Sequence, residues 1–187
     1  MHSQVDKRDN TRRLWLAAAA RDGASTFDVL GFFDGLDAMS LDDMIGEWKG
    51  HGLHTGHPLD GMLERFGWHG KRFDDSESAY PLLFNHGRGR RIAVNPKFIP
   101  VQLAARLRLQ RSRLARAAFH LAKPLMSTKK PSARLRMTTY RTMSSATMIY
   151  DTLPMHDVFR RVDRDCLLGA MDSRYFVQPM FFVLERV

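Results

Sequence analysis

Residues 46–52 read GEWKGHG, so three glycines accompany a tryptophan within seven positions. Glycine destabilises the interior of a helix, whereas in a strand it lets a second backbone approach closely. This composition predicts a β-strand over residues 45–52. We take it as the first strand of the chain and place the other elements around it.

Upstream of this strand, the sequence predicts a short amphipathic helix. Ser25 and Thr26 provide N-cap oxygens. Apolar residues follow at a spacing of three: Phe27, Leu30, Phe33 and Leu36. Residues 1–24 are interpreted as a flexible leader, because their apolar run ends at Arg21 and is short for a signal peptide.

After residue 133 the hydrophobic pattern changes to period two, as in Ala146, Met148 and Tyr150. Turn signals divide this region into about five short strands. Such a meander closes readily into a barrel, because closure removes the unpaired edge. The sequence therefore predicts a mainly β protein whose antiparallel barrel is a single domain, residues 25–187. Its three parts are a Gly-x-Trp-x-Gly region at 25–98, a helix at 101–125 and a C-terminal meander at 133–187.

Residues 101–125 predict a basic amphipathic helix. Its apolar face contains Leu103, Leu107, Leu114, Ala118, Leu121 and Leu125, and its flanks contain Arg106, Arg108, Arg111, Arg113 and Arg116. We favour a lid that lays the leucines over the sheet, since an uncovered leucine stripe would be a costly exposed patch. The alternatives are an anionic membrane surface, a nucleic-acid contact or a homodimer interface.

Composition limits the kinds of protein that this chain can be, but it does not identify a binding partner. The 187 residues carry a net charge of +9, which favours nucleic acid, an anionic membrane surface or an anionic headgroup. With one cysteine, Cys166, the chain can form no intramolecular disulfide, and we expect a cytoplasmic protein. No apolar run approaches the roughly 18 to 20 residues that span a bilayer.

Several blocks resemble one bacterial family in order along the chain. Residues 46–52, 57–61 and 68–73 resemble the family named after its Gly-x-Trp-x-Gly motif. Residues 133–136, 145–151 and 178–184 resemble its usual partner, a C-terminal domain of unknown function. This resemblance implies no settled activity.

The same motif also resembles the start of calycin barrels, the lipocalin-like group, and of nitrobindins, which bind haem. The resemblance implies a calycin-like barrel in which the indole of Trp48 closes one end. There the glycines would let the strand bend and pack tightly.

A barrel of this kind would surround its ligand with inward-facing side chains. Eleven methionines are available to line an adaptable pocket, and Arg136, Tyr140 or Tyr150 could orient a headgroup. The predicted ligand-binding residues are Trp48, Trp68, Arg136, Met137, Tyr140, Met148, Tyr150, Met155, His156, Phe176, Met180 and Phe182.

No catalytic residue and no metal site emerges from the sequence. His156 could point into the barrel as a haem ligand or a general base, but its neighbour Asp157 should face the other way on a strand. Cys166 stands in an apolar context typical of a core thiol. His51, His54 and His57 would not converge on one metal in an extended segment.

The sequence thus predicts an intracellular binding protein for a small hydrophobic ligand: a lipid, an isoprenoid or an aromatic molecule. One alternative is a nitrobindin-like protein that binds haem through His156. Another is an enzyme acting on a bound lipid or flavin, with His156 or Tyr150 as acid and base. Because no activating pair can be read from the chain, we favour binding over catalysis.

Overall fold

The computed structural model describes residues 2–87 and 89–187, and its strands all belong to one sheet. The helices are α1 (His2–Asp22), α2 (Thr26–Asp34), α3 (Leu41–Met44), α4 (Met62–Arg65), α5 (Val101–Arg106) and α6 (Arg113–Ala122), with 3₁₀ turns at Pro96–Phe98 and Leu109–Arg111. The strands are β1 (Asp37–Ala38), β2 (Gly46–Leu53), β3 (Trp68–Phe73), β4 (Ala79–His86), β5 (Arg90–Ala93), β6 (Ala133–Tyr140), β7 (Met143–Tyr150), β8 (Met155–Arg161), β9 (Cys166–Ser173) and β10 (Met180–Arg186).

Eight of the described strands close into an antiparallel barrel. The ring runs β2, β3, β4, β6, β7, β8, β9 and β10, and β10 pairs with β2 from Phe181↔Leu53 to Arg186↔Trp48. The short strands β1 and β5 add to β8 and β4 at the margin. The predicted barrel and its five-stranded C-terminal meander, β6 to β10, are confirmed.

Close packing inside the barrel depends on glycines that face large rings. A Cβ on Gly50 would lie 2.3 Å from the Trp68 ring, and one on Gly169 would lie 2.3 Å from the Phe182 ring. Both distances are far below van der Waals contact, so only glycine fits. The glycines expected in the first long strand therefore make room for the inward-facing rings.

The barrel wall separates two hydrophobic clusters. The inner one fills the barrel and includes Trp48, Leu135 and Phe159. The outer one covers the backs of β8, β9 and β10 with residues of α1 and α2, among them Leu16 and Phe33. The helices therefore protect one side of the barrel from water.

The prediction of a flexible leader at residues 1–24 is corrected, because part of this segment belongs to the outer cluster. Met1 lies outside the described residues, and α1 follows it as a helix. Leu16 and Ala19 are buried in the outer cluster, and Arg13 forms ion pairs with Asp163 and Glu185. α1 packs on the barrel because its buried apolar residues cover the barrel's outer face.

The lid helix predicted over residues 101–125 is also corrected. Arg108 has a left-handed backbone, with φ of 46°, and Ser112 caps a new helix, so α5 and α6 are separate. Ala104 and Phe119 face the barrel. The leucines instead face solvent: Leu103, Leu107, Leu114, Leu121 and Leu125 are 50 to 87% exposed. None of the described helices is both long and apolar enough to cross a bilayer.

Candidate functional site

A cavity of about 80 Å³ lies inside the barrel, next to α4 and the segment 99–101. Its walls are mainly apolar and include Leu82, Met171 and Phe182. Three polar side chains also reach it, namely Lys71, Tyr150 and Asp157. A small polar cluster in an apolar hollow is the usual composition of a ligand site.

Lys71 and Asp157 form a buried ion pair at this cavity. The distance from Lys71 Nζ to Asp157 Oδ2 is 2.7 Å, and the two side chains are only 3% and 1% exposed. Lys71 Nζ also lies 3.5 Å from the carbonyl oxygen of Pro81. Because a charge is stable in an apolar interior only when it is paired and hydrogen-bonded, each residue requires the other.

A β-bulge at Gly70 places Trp68 and Lys71 on the same, inner face of β3. In a regular strand, Trp68 and Lys71 would point to opposite faces. The register between β3 and β4 shifts on both sides of Gly70, whose φ is 151°. A Cβ there would lie 1.8 Å from the carbonyl oxygen of Trp48. The bulge therefore needs glycine, and it brings both flanking side chains to the cavity.

Asp157 reaches the cavity through the ordinary alternation of β8. Met155, Asp157 and Phe159 belong to its inner face. The Tyr150 hydroxyl donates a hydrogen bond of 3.3 Å to Asp157 Oδ2. Burial, and then the negative charge of Asp157, raises the pKa of Tyr150 well above its ordinary value. The phenol therefore stays protonated at neutral pH and acts as a donor, not as a base.

One oxygen of the cluster has no partner. Asp157 Oδ2 accepts from Lys71 and Tyr150, whereas the buried Oδ1 has no hydrogen bond within the described part of the chain. The Lys71 ammonium lies 4.8 Å from the centre of the Phe182 ring and 5.4 Å from that of Trp68. Aromatic faces attract a cation, so they hold Lys71 in place. The arrangement leaves one carboxylate oxygen without a hydrogen-bond donor.

A second apolar hollow of about 180 Å³ adjoins the first, between the barrel and α5 and α6. Its walls include Phe84, Ala104 and Phe119. Four residues line both hollows: Met62, Leu63, Leu82 and Ile99. The two hollows are therefore neighbours that share part of their walls.

Five of the predicted ligand-binding residues line the inner cavity, and they come from four different strands. They are Trp68, Tyr150, Met155, Met180 and Phe182. Period-two alternation placed the last four correctly on the inner face. Their contact with a ligand stays a prediction.

Two other predicted residues are buried in the barrel without lining the cavity. Met148 belongs to the inner cluster. Trp48 is fully buried, and its indole N–H donates to the carbonyl oxygen of Met44 at 2.8 Å. Trp48 pairs with Arg186 at the opposite end of β10 from Met180. The end-closing role that the calycin resemblance implies for Trp48 stays a prediction.

The remaining predicted residues lie outside the cavity. Arg136 pairs with Glu77, at 2.8 Å. Met137 is 46% exposed, and Tyr140 packs with the outer cluster. Phe176 contacts His57 in a surface groove, with ring centres 4.7 Å apart. Neighbours on a strand face opposite sides, so Arg136 and Met137 could not both point inward.

His156 also lies on the outer side of the barrel, where its Nε2 is 3.5 Å from Asp172. Its ring meets that of Tyr140, with centres 6.2 Å apart. β8 turns Asp157 inward, so His156 does not have the inward orientation that the haem alternative requires. The haem alternative thereby loses the axial ligand on which it relied.

Sequence reasoning missed Lys71 and Asp157, the charged pair at the centre of the site. Asp157 carried a usable signal, since it stands between Met155 and Phe159 at period two. Lys71 carried a conflicting signal, since period two from Phe73 turns it inward whereas period two from Trp68 turns it outward. The Gly70 bulge removes the conflict, because it brings Trp68 and Lys71 to the same face of β3.

Comparisons with known proteins agree with this architecture. Residues 31–89 match the family described as GXWXG protein, and residues 131–186 match a domain of unknown function (DUF4334). These matches confirm the family resemblance stated from the sequence. A crystal structure of a protein from Thermomonospora curvata shares the fold, with a TM-score of 0.69 and 29% sequence identity. The alignment covers 95% of this chain and 99% of that one. No curated protein matches the chain.

Proposed function

We propose that this barrel, built from the GXWXG and DUF4334 regions, binds a small, mainly apolar molecule whose hydroxyl or amine donates a hydrogen bond to Asp157. The unpartnered Oδ1 of Asp157 carries the proposal. A buried acceptor without a donor costs about 1–3 kcal/mol, and more when the group is charged. A ligand that supplies the donor recovers this free energy.

The charges of Lys71 and Asp157 determine which ligand headgroup can bind beside them. Lys71 already neutralises Asp157, so a ligand carboxylate would be a buried negative charge without a counter-ion and would bring no donor to Oδ1. An alcohol or a neutral amine would instead donate to Oδ1 without adding a charge. Among lipids, isoprenoids and aromatic molecules, this favours alcohols and amines over fatty acids.

The shape of the two hollows supports an elongated ligand. The inner cavity, at about 80 Å³, is smaller than the roughly 150 Å³ cavity that holds benzene in another protein. The outer hollow of about 180 Å³ extends it past Met62 and Leu63. The headgroup would lie at Asp157 and the apolar chain beneath α5 and α6.

Thermal unfolding with matched ligands tests this proposal. A medium-chain primary alcohol should raise Tm by about 5–10 °C at a hundredfold excess over Kd. The alkane and the fatty acid of equal length should raise Tm much less. Native mass spectrometry of the purified protein should show a copurified molecule with a hydroxyl or amine.

A blocking variant and a matched control locate the binding site. Leu63→Trp enlarges a side chain that lines both hollows and should abolish the Tm shift. Leu107→Trp, at a position that is 62% exposed, should leave it unchanged. Equal Tm shifts in the two variants would show that the cavity is not the binding site. The same conclusion would follow if no alcohol or amine raised the Tm of the wild type.

A further inference from the structure

We infer that the outer face of residues 101–125 docks on an anionic lipid surface. This lid surface consists of the exposed leucines Leu103, Leu107, Leu114, Leu121 and Leu125 with the arginines Arg106, Arg108, Arg111, Arg113 and Arg116. In α6, Leu114 and Leu121 are 83% and 81% exposed, and none of the described α6 residues is buried. An amphipathic helix that leaves its apolar face in water lacks its partner.

The charge around these leucines selects the kind of partner. Between Ala79 and Tyr150 the sequence contains no Asp or Glu but 15 Lys and Arg, about half of the 29 in the chain. Each Lys or Arg near an anionic leaflet contributes about 1 kcal/mol to membrane binding. Apolar side chains in the same surface insert into the bilayer, and this contribution to membrane binding is not screened by salt.

A basic groove beside the lid surface provides places for phosphate groups. It has a volume of about 930 Å³, and four arginines line it: Arg65, Arg106, Arg108 and Arg111. Within the described residues, none of the four pairs with a carboxylate. Asp60 also lines the groove, but its Oδ2 already accepts backbone N–H groups from residues 55–57. The guanidinium groups thus remain available for lipid phosphates.

Other occupants explain only part of this surface. Nucleic acid would use the arginines but would leave Leu114 and Leu121 in water. A second copy of the chain would cover the leucines but would bring two arginine-rich faces together without carboxylates between them. An anionic bilayer accounts for both the apolar and the basic residues.

Docking in this orientation would place the outer hollow near the lipid. Ala104, Ala115 and Phe119 line that hollow from the side of α5 and α6. If the barrel takes an apolar alcohol or amine as proposed above, the ligand could pass from the bilayer beneath these helices. The docking itself does not depend on that function.

Vesicle sedimentation tests the docking directly. The protein should bind phosphatidylcholine vesicles that contain phosphatidylglycerol and should not bind pure phosphatidylcholine. Leu114→Asn with Leu121→Asn should weaken binding by at least about tenfold, since both leucines leave the bilayer. Arg113→Gln with Arg116→Gln should weaken it by about fivefold for each arginine and reduce its salt dependence.

Leu14→Asn is the matched control, because Leu14 is an exposed leucine on α1, outside the lid surface. It should bind like the wild type. Failure of the wild type to bind anionic vesicles would overturn the inference, as would unchanged binding by the leucine variant. A dimer in sedimentation equilibrium that the leucine variant converts to monomer would show that a second copy covers the surface. Alcohol-induced stabilisation measured without vesicles tests the ligand separately.

Discussion

At the scale of single residues, the feature that dominates the barrel interior is the pair formed by Lys71 and Asp157. Burying two charges costs several kcal/mol for each ion, which their attraction only partly offsets. Such a pair is therefore a poor means of stabilising a fold. Its presence, with Asp157 Oδ1 left unpartnered, is more readily explained by binding than by stability.

Replacing one or both members of this pair distinguishes a role in ligand binding from a role in stability. Asp157→Leu leaves the Lys71 ammonium buried without its counter-ion and should lower the free energy of unfolding by about 3–5 kcal/mol. The double variant Lys71→Met with Asp157→Leu should recover most of that loss, yet should not bind the alcohol. Urea denaturation of the wild type and both variants measures the difference. A double variant no more stable than the single one would contradict this account.

At the scale of elements, the β6–β7 hairpin shows how tertiary contacts override local preference. Its two turn residues, Arg141 and Thr142, have φ of 48° and 70°, values that glycine and asparagine adopt more readily. Arg141 makes two hydrogen bonds to Asp34 at the end of α2, at 2.8 and 2.6 Å. The contact with α2 thus helps to hold a turn that its own residues disfavour.

Relieving this turn should stabilise the protein. Thr142→Gly removes a β-branched side chain from a left-handed backbone, and we expect a gain of about 1 kcal/mol in the free energy of unfolding. Thr139→Gly is the matched control, because Thr139 lies within β6, where glycine should cost about 0.5–1 kcal/mol. Urea denaturation should show shifts of opposite sign. Destabilisation by both changes would mean that the turn is not strained.

At the scale of the whole molecule, three histidines from different parts of the fold favour the neutral state. Burial is the largest cause that lowers the pKa of His57, His69 and His120. The positive charges of Arg91 and Lys123 lower the last two further. A pKa lower in the folded than in the unfolded chain means that the unfolded state binds protons first as pH falls.

Stability should therefore decrease on mild acidification. The contribution of these histidines is fully present above their unfolded pKa of about 6.5 and is lost as pH falls through the lower folded values. Tm should fall between pH 7.5 and pH 5. In His57→Gln, which removes the titrating group at a position only 4% exposed, the decrease should be smaller. A Tm independent of pH in this interval would refute the linkage.

Much of the barrel was readable from local pattern. Period two in residues 133–187 predicted the meander, and the glycines around Trp48 predicted a strand with close backbone contacts. The same alternation identified Tyr150, Met155, Met180 and Phe182 as inward-facing. These inferences succeeded because the side-chain period of a strand is a property of the backbone itself.

The rest depended on contacts between distant segments. The outer faces of β8 to β10 hold α1 against the barrel, and the break at Arg108 divides the predicted helix into α5 and α6. Trp68 and Lys71 both reach the cavity where Lys71 meets Asp157, 86 positions away, because a bulge against β4 breaks the alternation of β3 between them. Local periodicity cannot anticipate such a break, since the register between two strands exists only once both have paired.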